Sequence, residues 1–309
     1  MFMKTIKRFF LNSSDNHLKK SQILALFAVI SLFSFVSLDD SEYEKEIKTW
    51  QKQRIESLKK EDGWLNLAGL FWLEEGKNSF GASTDNKIVF PARKSKPFLG
   101  NLILKNNEVF VEAKPDAEIF NETQKVEKLK IFPVEKSIIL KHNSLRWFVI
   151  KRGDKYAVRL RDLESPFLQD FHGIDTFPID EKWKIKAKFV PTSGNKIAIL
   201  NVTGQTSQQD SPGKLIFTFE GKNYTLDALI EEDSLFIIFG DKTNKIQTYG
   251  AGRFLLAKHP DSEGFTYLDF NKSYNPPCAF TPYATCPLPP KQNQLTVSIT
   301  AGEKNYGHH

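Results

Sequence analysis

The chain has 309 residues, of which 40% are hydrophobic and 26% charged, so it is a globular sequence long enough to bury a sizeable core. The formal net charge is +6, but residues 1–38 hold five basic residues against one acid, a net +4 that leaves only +2 for the body. Nucleic-acid binding requires a concentrated basic patch, so we expect no nucleic-acid partner.

The first predicted element is an apolar segment, residues 21–38, which carries no charge and follows Lys19 and Lys20. A basic flank before an apolar run is typical of a secretory signal, and its length also suits an uncleaved membrane anchor. A buried core helix is the alternative, although such helices are usually shorter or amphipathic. If the segment is a signal or an anchor, its basic flank stays in the cytoplasm. We therefore expect residues 39–309 to be exported, periplasmic or anchored facing outside the cytoplasm, with membrane contact only through this segment.

An amphipathic helix is predicted over residues 41–60, within a region 39–62 that precedes the main domain. Ser41 and Glu44 have the spacing of a capping box, and Gly63 ends the pattern. The apolar stripe at helical spacing consists of Ile47, Trp50, Ile55 and Leu58.

From residue 63 onward, short apolar runs alternate with turn residues, and the predicted strands are 88–90, 102–105, 109–113, 137–141, 146–151 and 182–189. In the last of these, "KWKIKAKF" alternates strictly, with Trp183 and its alternate neighbours facing inward. Loops are predicted at 191–195 and 204–214. The fold class that follows is mainly β, an antiparallel sandwich or barrel-like sheets with one N-terminal helix after a signal or anchor segment. The β domain spans 63–304, with a subdivision considered near 191–214, and 305–309 form a tail.

Candidate ligand-binding residues begin with Arg159 and Arg161, which occupy one face of a predicted strand roughly 6.6 Å apart. Two guanidinium groups at that spacing can hold one carboxylate or phosphate between them. Asp162 and His172 follow nearby and are added to the candidates.

Further candidates occur late in the chain: Arg253 after a Gly-Ala-Gly run, Asp269 and Asn271 on one face of "LDFN", and Glu303 in a second glycine turn. If all these positions converge, they form one polar pocket. The alternative is that each arginine pairs with a nearby acid in an ordinary structural network.

The segment of residues 275–290, "NPPCAFTPYATCPLPP", holds both cysteines of the chain and six prolines. Proline fixes φ and removes a hydrogen-bond donor, so we expect a rigid strap outside the strand ladders, lying over the end of the β structure. For Cys278 and Cys286 four roles stay open: a local disulfide in an oxidising compartment, two buried thiols, a zinc site with His172 and His259, or a nucleophile.

Six stretches together resemble the bacterial and archaeal domain-of-unknown-function family 1684. They are "GWLNLAGLFWLEEGKNSFG" (63–81), "YAVRLRDLESPF" (156–167), "FPIDEKWKIKAKF" (177–189), "TYGAGRFL" (248–255), "LDFNKSYNPPCAFTPYATCPLPP" (268–290) and "AGEK" (301–304). The resemblance covers residues 63–304, and its most specific part is the cysteine and proline segment. It implies a domain boundary and no reaction.

The sequence therefore gives two hypotheses for function. The first is a small-ligand site that recognises an anionic group, carboxylate or phosphate, through arginines, either for binding alone or for hydrolysis. The second is a non-catalytic envelope binding or scaffold module. No metal, no cofactor and no catalytic residue is predicted under either hypothesis.

Overall fold

The computed structural model describes residues 41–307, in which antiparallel β-structure predominates. Helix α1 spans Glu42–Lys59, and a short helix α2 spans Pro166–Gln169. The strands are β1 Leu67–Trp72, β2 Gly76–Gly81, β3 Ile88–Val89, β4 Gly100–Lys105, β5 Glu108–Ala113, β6 Phe120–Asn121, β7 Gln124–Lys125, β8 Lys128–Phe132, β9 Leu140–His142, β10 Leu145–Arg152, β11 Lys155–Asp162, β12 Lys184–Leu200, β13 Thr206–Phe219, β14 Lys222–Glu231, β15 Ser234–Phe239, β16 Arg253–Lys258 and β17 Phe265–Asp269.

Helix α1 begins as predicted, because the backbone N–H of Glu44 donates to Ser41 Oγ at 3.1 Å. Ile47 and Leu58 of the apolar stripe are buried. In the described part of the chain, no helix combines the length and apolar character needed to cross a membrane. The predicted signal or anchor segment, 21–38, lies outside the described residues.

Two sheets formed by β1–β11 share one hydrophobic core. One has the strand order β1-β11-β10-β9-β6-β7, and the other has the order β3-β2-β4-β5-β8. Trp147 of β10 packs against Phe80 of β2, with ring centroids 5.8 Å apart, and against Phe90 at 5.3 Å. This core lies on the inner face of β11, so the opposite face of β11 is left for other contacts.

The third sheet has the order β16-β15-β14-β13-β12-β17 and is nearly closed into a barrel. Thr266 Oγ1 of β17 donates to the carbonyl of Lys258 at the end of β16, at 2.8 Å, so the two edge strands are linked. Trp183, Ile185 and Ala187 point into this barrel, which confirms the alternation predicted for 182–189.

The predictions of loops at 191–195 and 204–214 were wrong, since both stretches lie mostly within β12 and β13. The two strands extend as a hairpin arm, with a bulge between Pro191 and Asn195. Residues 191–195 and 204–210 are mostly exposed and carry no apolar side chain, so they lack the usual strand signal, whereas Ile197 and Ile199 of the arm are buried. The strand predicted at 137–141 begins only at Leu140.

Residues 275–290, which we call the strap, run outside the main ladders as predicted, with one short 3₁₀ helix at Pro277–Ala279. The strap contacts both β regions. Thr281 Oγ1 donates to the carbonyl of Leu67 in β1 at 3.5 Å, and the N–H of Leu288 donates to the carbonyl of Leu200 in β12 at 2.7 Å.

The two cysteines of the strap are paired at disulfide distance, with Cα atoms 6.1 Å apart. Cys286 and its partner Cys278 pack with Leu67 and Trp64, so the pair lies between the strap and the start of the first sheet. Within residues 41–307, no group of three or more His, Cys, Asp or Glu side chains could hold a metal ion.

Candidate functional site

Arg253 and Glu303 are brought together in the protein interior. Arg253 is fully buried, and its Nη2 donates to Asp241 Oδ2 at 2.9 Å and to the carbonyl of Ile299 at 2.8 Å. Its Nη1 donates to the carbonyls of Ala301 and Glu303. Burial lowers the pKa of Arg253, and Asp241 opposes that change. These contacts favour a structural role for Arg253.

The carboxylate of Glu303 is bound by Arg54 and by the backbone of Asn275. Arg54 Nε donates to Oε1 at 3.1 Å, and the backbone N–H of Asn275 donates to Oε2 at 2.6 Å. Burial raises the pKa of Glu303, an effect that Arg54 opposes. Gly302, at φ +75°, allows this turn, because a Cβ there would lie 2.5 Å from the carbonyl oxygen of Ser273.

Asp269 and Asn271 are neighbours that organise the chain after β17. Asp269 Oδ1 accepts from the N–H of Asn271 at 3.2 Å, and Lys272 Nζ lies 3.8 Å from Asp269 Oδ2. Asn271 exchanges two hydrogen bonds with the backbone of Asp180, at 2.9 and 3.2 Å. Both side chains thus have local structural contacts.

Asp162 and His172 lie apart from these groups. Asp162 Oδ1 accepts from the N–H of Glu164 at 3.0 Å, which fixes the turn after β11, and Lys94 Nζ lies 3.5 Å from Oδ2. His172 is exposed in the extended segment after α2. The predicted residues are therefore distributed among several sets of contacts.

Arg159 and Arg161 share the outer face of β11, as the alternation predicts. Arg161 Nη1 donates to the carbonyl of Gly63, and its guanidinium lies over the ring of Phe148 at 6.0 Å. Arg159 is only 6% exposed, yet its Nε and Nη2 have no hydrogen-bond partner among the described residues.

The charges nearest to Arg159 are also positive. The pKa of Arg159 is lowered to about 10, mainly by burial and to a smaller extent by the charges of Arg152 and Arg161. By the β10–β11 register, Arg152 faces the same side of the hairpin as Arg159 and Arg161. Four guanidinium groups therefore follow one face of this hairpin, those of Arg146, Arg152, Arg159 and Arg161. Arg146 is paired with Glu61, whereas the buried Arg159 has no ion-pair partner in residues 41–307.

A cavity of about 420 Å³ opens beside Arg152. Its walls come from the β10–β11 turn, from Thr285 and Pro287 of the strap, and from β12–β15 of the third sheet. One acid, Glu231, lines its wall. Arg152 lines this cavity and its charge lowers the pKa of Arg159, whereas Arg159 itself does not line the cavity.

Sequence reasoning missed Arg54 and Asp241, the partners of Glu303 and Arg253. A signal existed for Arg54, which lies four residues after Trp50 and four before Leu58, and so on the apolar stripe of α1. A charged residue at such a position needs a buried partner. Nothing comparable in the sequence singled out Asp241.

Three comparisons with known proteins were made. The family model described as "Protein of unknown function (DUF1684)" matches residues 169–304. The search of curated proteins found no match. A solved structure that matches is the solution NMR structure of an uncharacterized protein of Haloarcula marismortui. It is 32% identical, with 46% of this chain and 80% of that chain covered, and the TM-score is 0.39.

Proposed function

Since the chain belongs to the DUF1684 family of unknown function through residues 169–304, we propose its function from its own geometry: it binds a small molecule through an anionic group at the arginine face of β10–β11. The observation that carries this proposal is the uncompensated guanidinium of Arg159. The cavity beside Arg152 is the site of entry.

The unpartnered charge of Arg159 has an energetic cost. A buried ion without a partner costs several kcal/mol, and buried polar atoms in proteins almost always have a hydrogen-bond partner. Arg253 shows how this fold surrounds a buried guanidinium when the role is structural: both of its Nη atoms donate, to a carboxylate and three carbonyls, and only its Nε lacks a partner among the described residues. A carboxylate or phosphate oxygen of a ligand would supply Arg159 with the acceptor it lacks.

The proposal is binding and not hydrolysis. The hydroxyl groups lining the cavity are those of Ser207 and Thr285, and no imidazole, thiol or tyrosine lines it. Lys151 and Glu231 also line the cavity, but no hydrogen bond among the described residues joins either of them to Ser207 or Thr285, so the geometry assigns no activated nucleophile. The alternative predicted from the sequence, a non-catalytic envelope binding module, is compatible with this site.

We also propose that the binding domain is exported. The support is the basic and apolar pattern of residues 1–38 together with the cysteine pair, because disulfides persist in oxidising compartments outside the cytoplasm. A C-terminal fusion to a reporter that is active only in the periplasm tests this, and activity of a cytoplasm-dependent reporter would contradict it.

Thermal unfolding with sodium phosphate or sodium citrate, against sodium chloride at equal ionic strength, tests the anion site. An anion that binds only the folded state at ten times its Kd stabilises it by about 1.4 kcal/mol. We expect this stabilisation in the wild-type protein and its loss in Arg159→Met. Lys155→Met is the matched control, since Lys155 lies on the same face of β11 but is exposed.

Two results would overturn the proposal. One is that neither anion stabilises the wild-type protein beyond the sodium chloride baseline. The other is that Lys155→Met and Arg159→Met lose the response equally, because the effect would then come from general surface charge.

A further inference from the structure

A second cavity adjoins the one beside Arg152. It has a volume of about 470 Å³ and lies between α1, β15, β16 and the start of the strap. Glu231 and Phe236 line both cavities, so the two share a wall. The two spaces therefore act as neighbouring compartments of one extended site.

The second cavity is mainly aromatic. Trp50 and Trp64 contribute indole rings, and Phe236, Phe254 and Tyr274 contribute further rings. The Phe236 and Phe254 rings meet edge to face with centroids 4.9 Å apart, which gives this wall a packed surface. Such walls bind an apolar group by removing its surface from water.

The charges around the aromatic cavity leave one carboxylate without a counterion. Arg54 lines the cavity, but its Nε is paired with Glu303 and its guanidinium lies 4.7 Å from the Tyr274 ring centroid. Glu231, an exposed side chain at the end of β14, forms no ion pair or side-chain hydrogen bond with the described residues. A positively charged ligand group would therefore find a free partner in Glu231 at the shared wall.

The field of Glu231 reaches into the aromatic cavity. The pKa of Tyr274 is raised to about 12, mainly by burial; Arg54 opposes the rise, whereas Glu231 and Glu303 add to it. Three chemically different groups are thus arranged along the extended site. They are a basic region at Arg152, a carboxylate at Glu231 and the aromatic walls.

We propose that the extended site takes an apolar zwitterion of the amino-acid or short-peptide type. Its carboxylate lies past Arg152 toward the arginine face that holds Arg159, its ammonium group against Glu231, and its apolar group among the aromatic rings. This inference rests on the proposed anion-binding function and adds to it the ammonium group and the apolar group.

Calorimetric titration of the full-length protein with three probes tests the inference. L-phenylalanine and L-phenylalanyl-L-phenylalanine are zwitterions, and 3-phenylpropionate has the same ring and carboxylate without the ammonium group. We expect at least one zwitterion to bind about tenfold more tightly than 3-phenylpropionate, since a hydrogen bond to a charged group has about that effect. Which of the two zwitterions binds more tightly shows whether the site takes a free amino acid or a peptide.

Glu231→Gln should remove the advantage of the zwitterion and leave the affinity for 3-phenylpropionate unchanged or higher. Glu232→Gln is the matched control, because Glu232 is the next residue on the same turn and lines neither cavity. If 3-phenylpropionate binds as tightly as both zwitterions, this inference is wrong while the anion site stands. If no probe binds, the inference is also wrong, and the phosphate and citrate experiment decides the anion site independently.

Discussion

Two buried arginines of this protein have opposite surroundings. Arg253, at the start of β16, is enclosed by Asp241 and three backbone carbonyls from residues 299–303. Arg159, on the outer face of β11, has Arg152 and Arg161 as its charged neighbours, and two of its nitrogens have no partner among the described residues. Burial alone therefore does not distinguish a structural arginine from one available to a ligand; the acceptors around it do.

The largest expected effect is at Arg253. Arg253→Met leaves Asp241 buried without its counterion, and breaking a buried pair in this way costs about 3–5 kcal/mol. Urea denaturation should show that loss in the free energy of unfolding. The double variant Arg253→Met/Asp241→Leu should lose less than the sum of the single variants. If Arg253→Met lowers the free energy of unfolding by less than about 1 kcal/mol, Arg253 does not have the structural role that distinguishes it from Arg159.

An intermediate effect is expected in the strap, which touches both β regions. Replacing Cys278 and Cys286 by Ser opens the short loop that they close, and should lower stability by about 2–3 kcal/mol. Thiol titration of denatured, unreduced protein should find no free thiol in the wild type. Two free thiols would reject the bridge. Loss of ligand binding at unchanged stability would make a cysteine functional.

The smallest effect is expected at Arg159. Arg159→Met removes an uncompensated buried charge and keeps an apolar side chain of similar length. Without added anions, the free energy of unfolding should therefore change by less than about 1 kcal/mol or should increase. Urea denaturation of the wild type and variant in chloride buffer measures this. A loss of about 3 kcal/mol or more would mean that Arg159 has a structural partner, and the two arginines would then be alike.

The β-structure and the helix could be predicted from the sequence because their signals are local. Strict alternation in "KWKIKAKF" revealed the inward face of β12, and the spacing of Ser41 and Glu44 revealed the start of α1. The stretches 191–195 and 204–210 of the arm could not be predicted as strand, because they are mostly exposed and carry no apolar side chain. Ile197 and Ile199 of β12 are buried at period two, a signal that sequence reasoning missed.

For the candidate site, the sequence correctly placed Arg159 and Arg161 on one face of a strand. It could not show that Arg253 serves the interior, because its acceptors follow it by 46 residues or more, apart from Asp241, which precedes it by 12. The spacing of residues along one strand determines which side chains share a face of that strand. Whether side chains from different strands meet depends on how the loops connect those strands. The expectation that Arg253 would converge with Arg159 and Arg161 in one polar pocket therefore had no local basis.

The pairing of Arg54 with Glu303 also bears on the order of assembly. The two residues are separated by 249 positions, so during synthesis the helix is complete long before the carboxylate that neutralises its arginine exists. Contacts of such separation close late and slow folding. Until residue 303 has been made, α1 carries an unpaired charge on the face it will bury, which favours docking of the helix only after the β domain has formed.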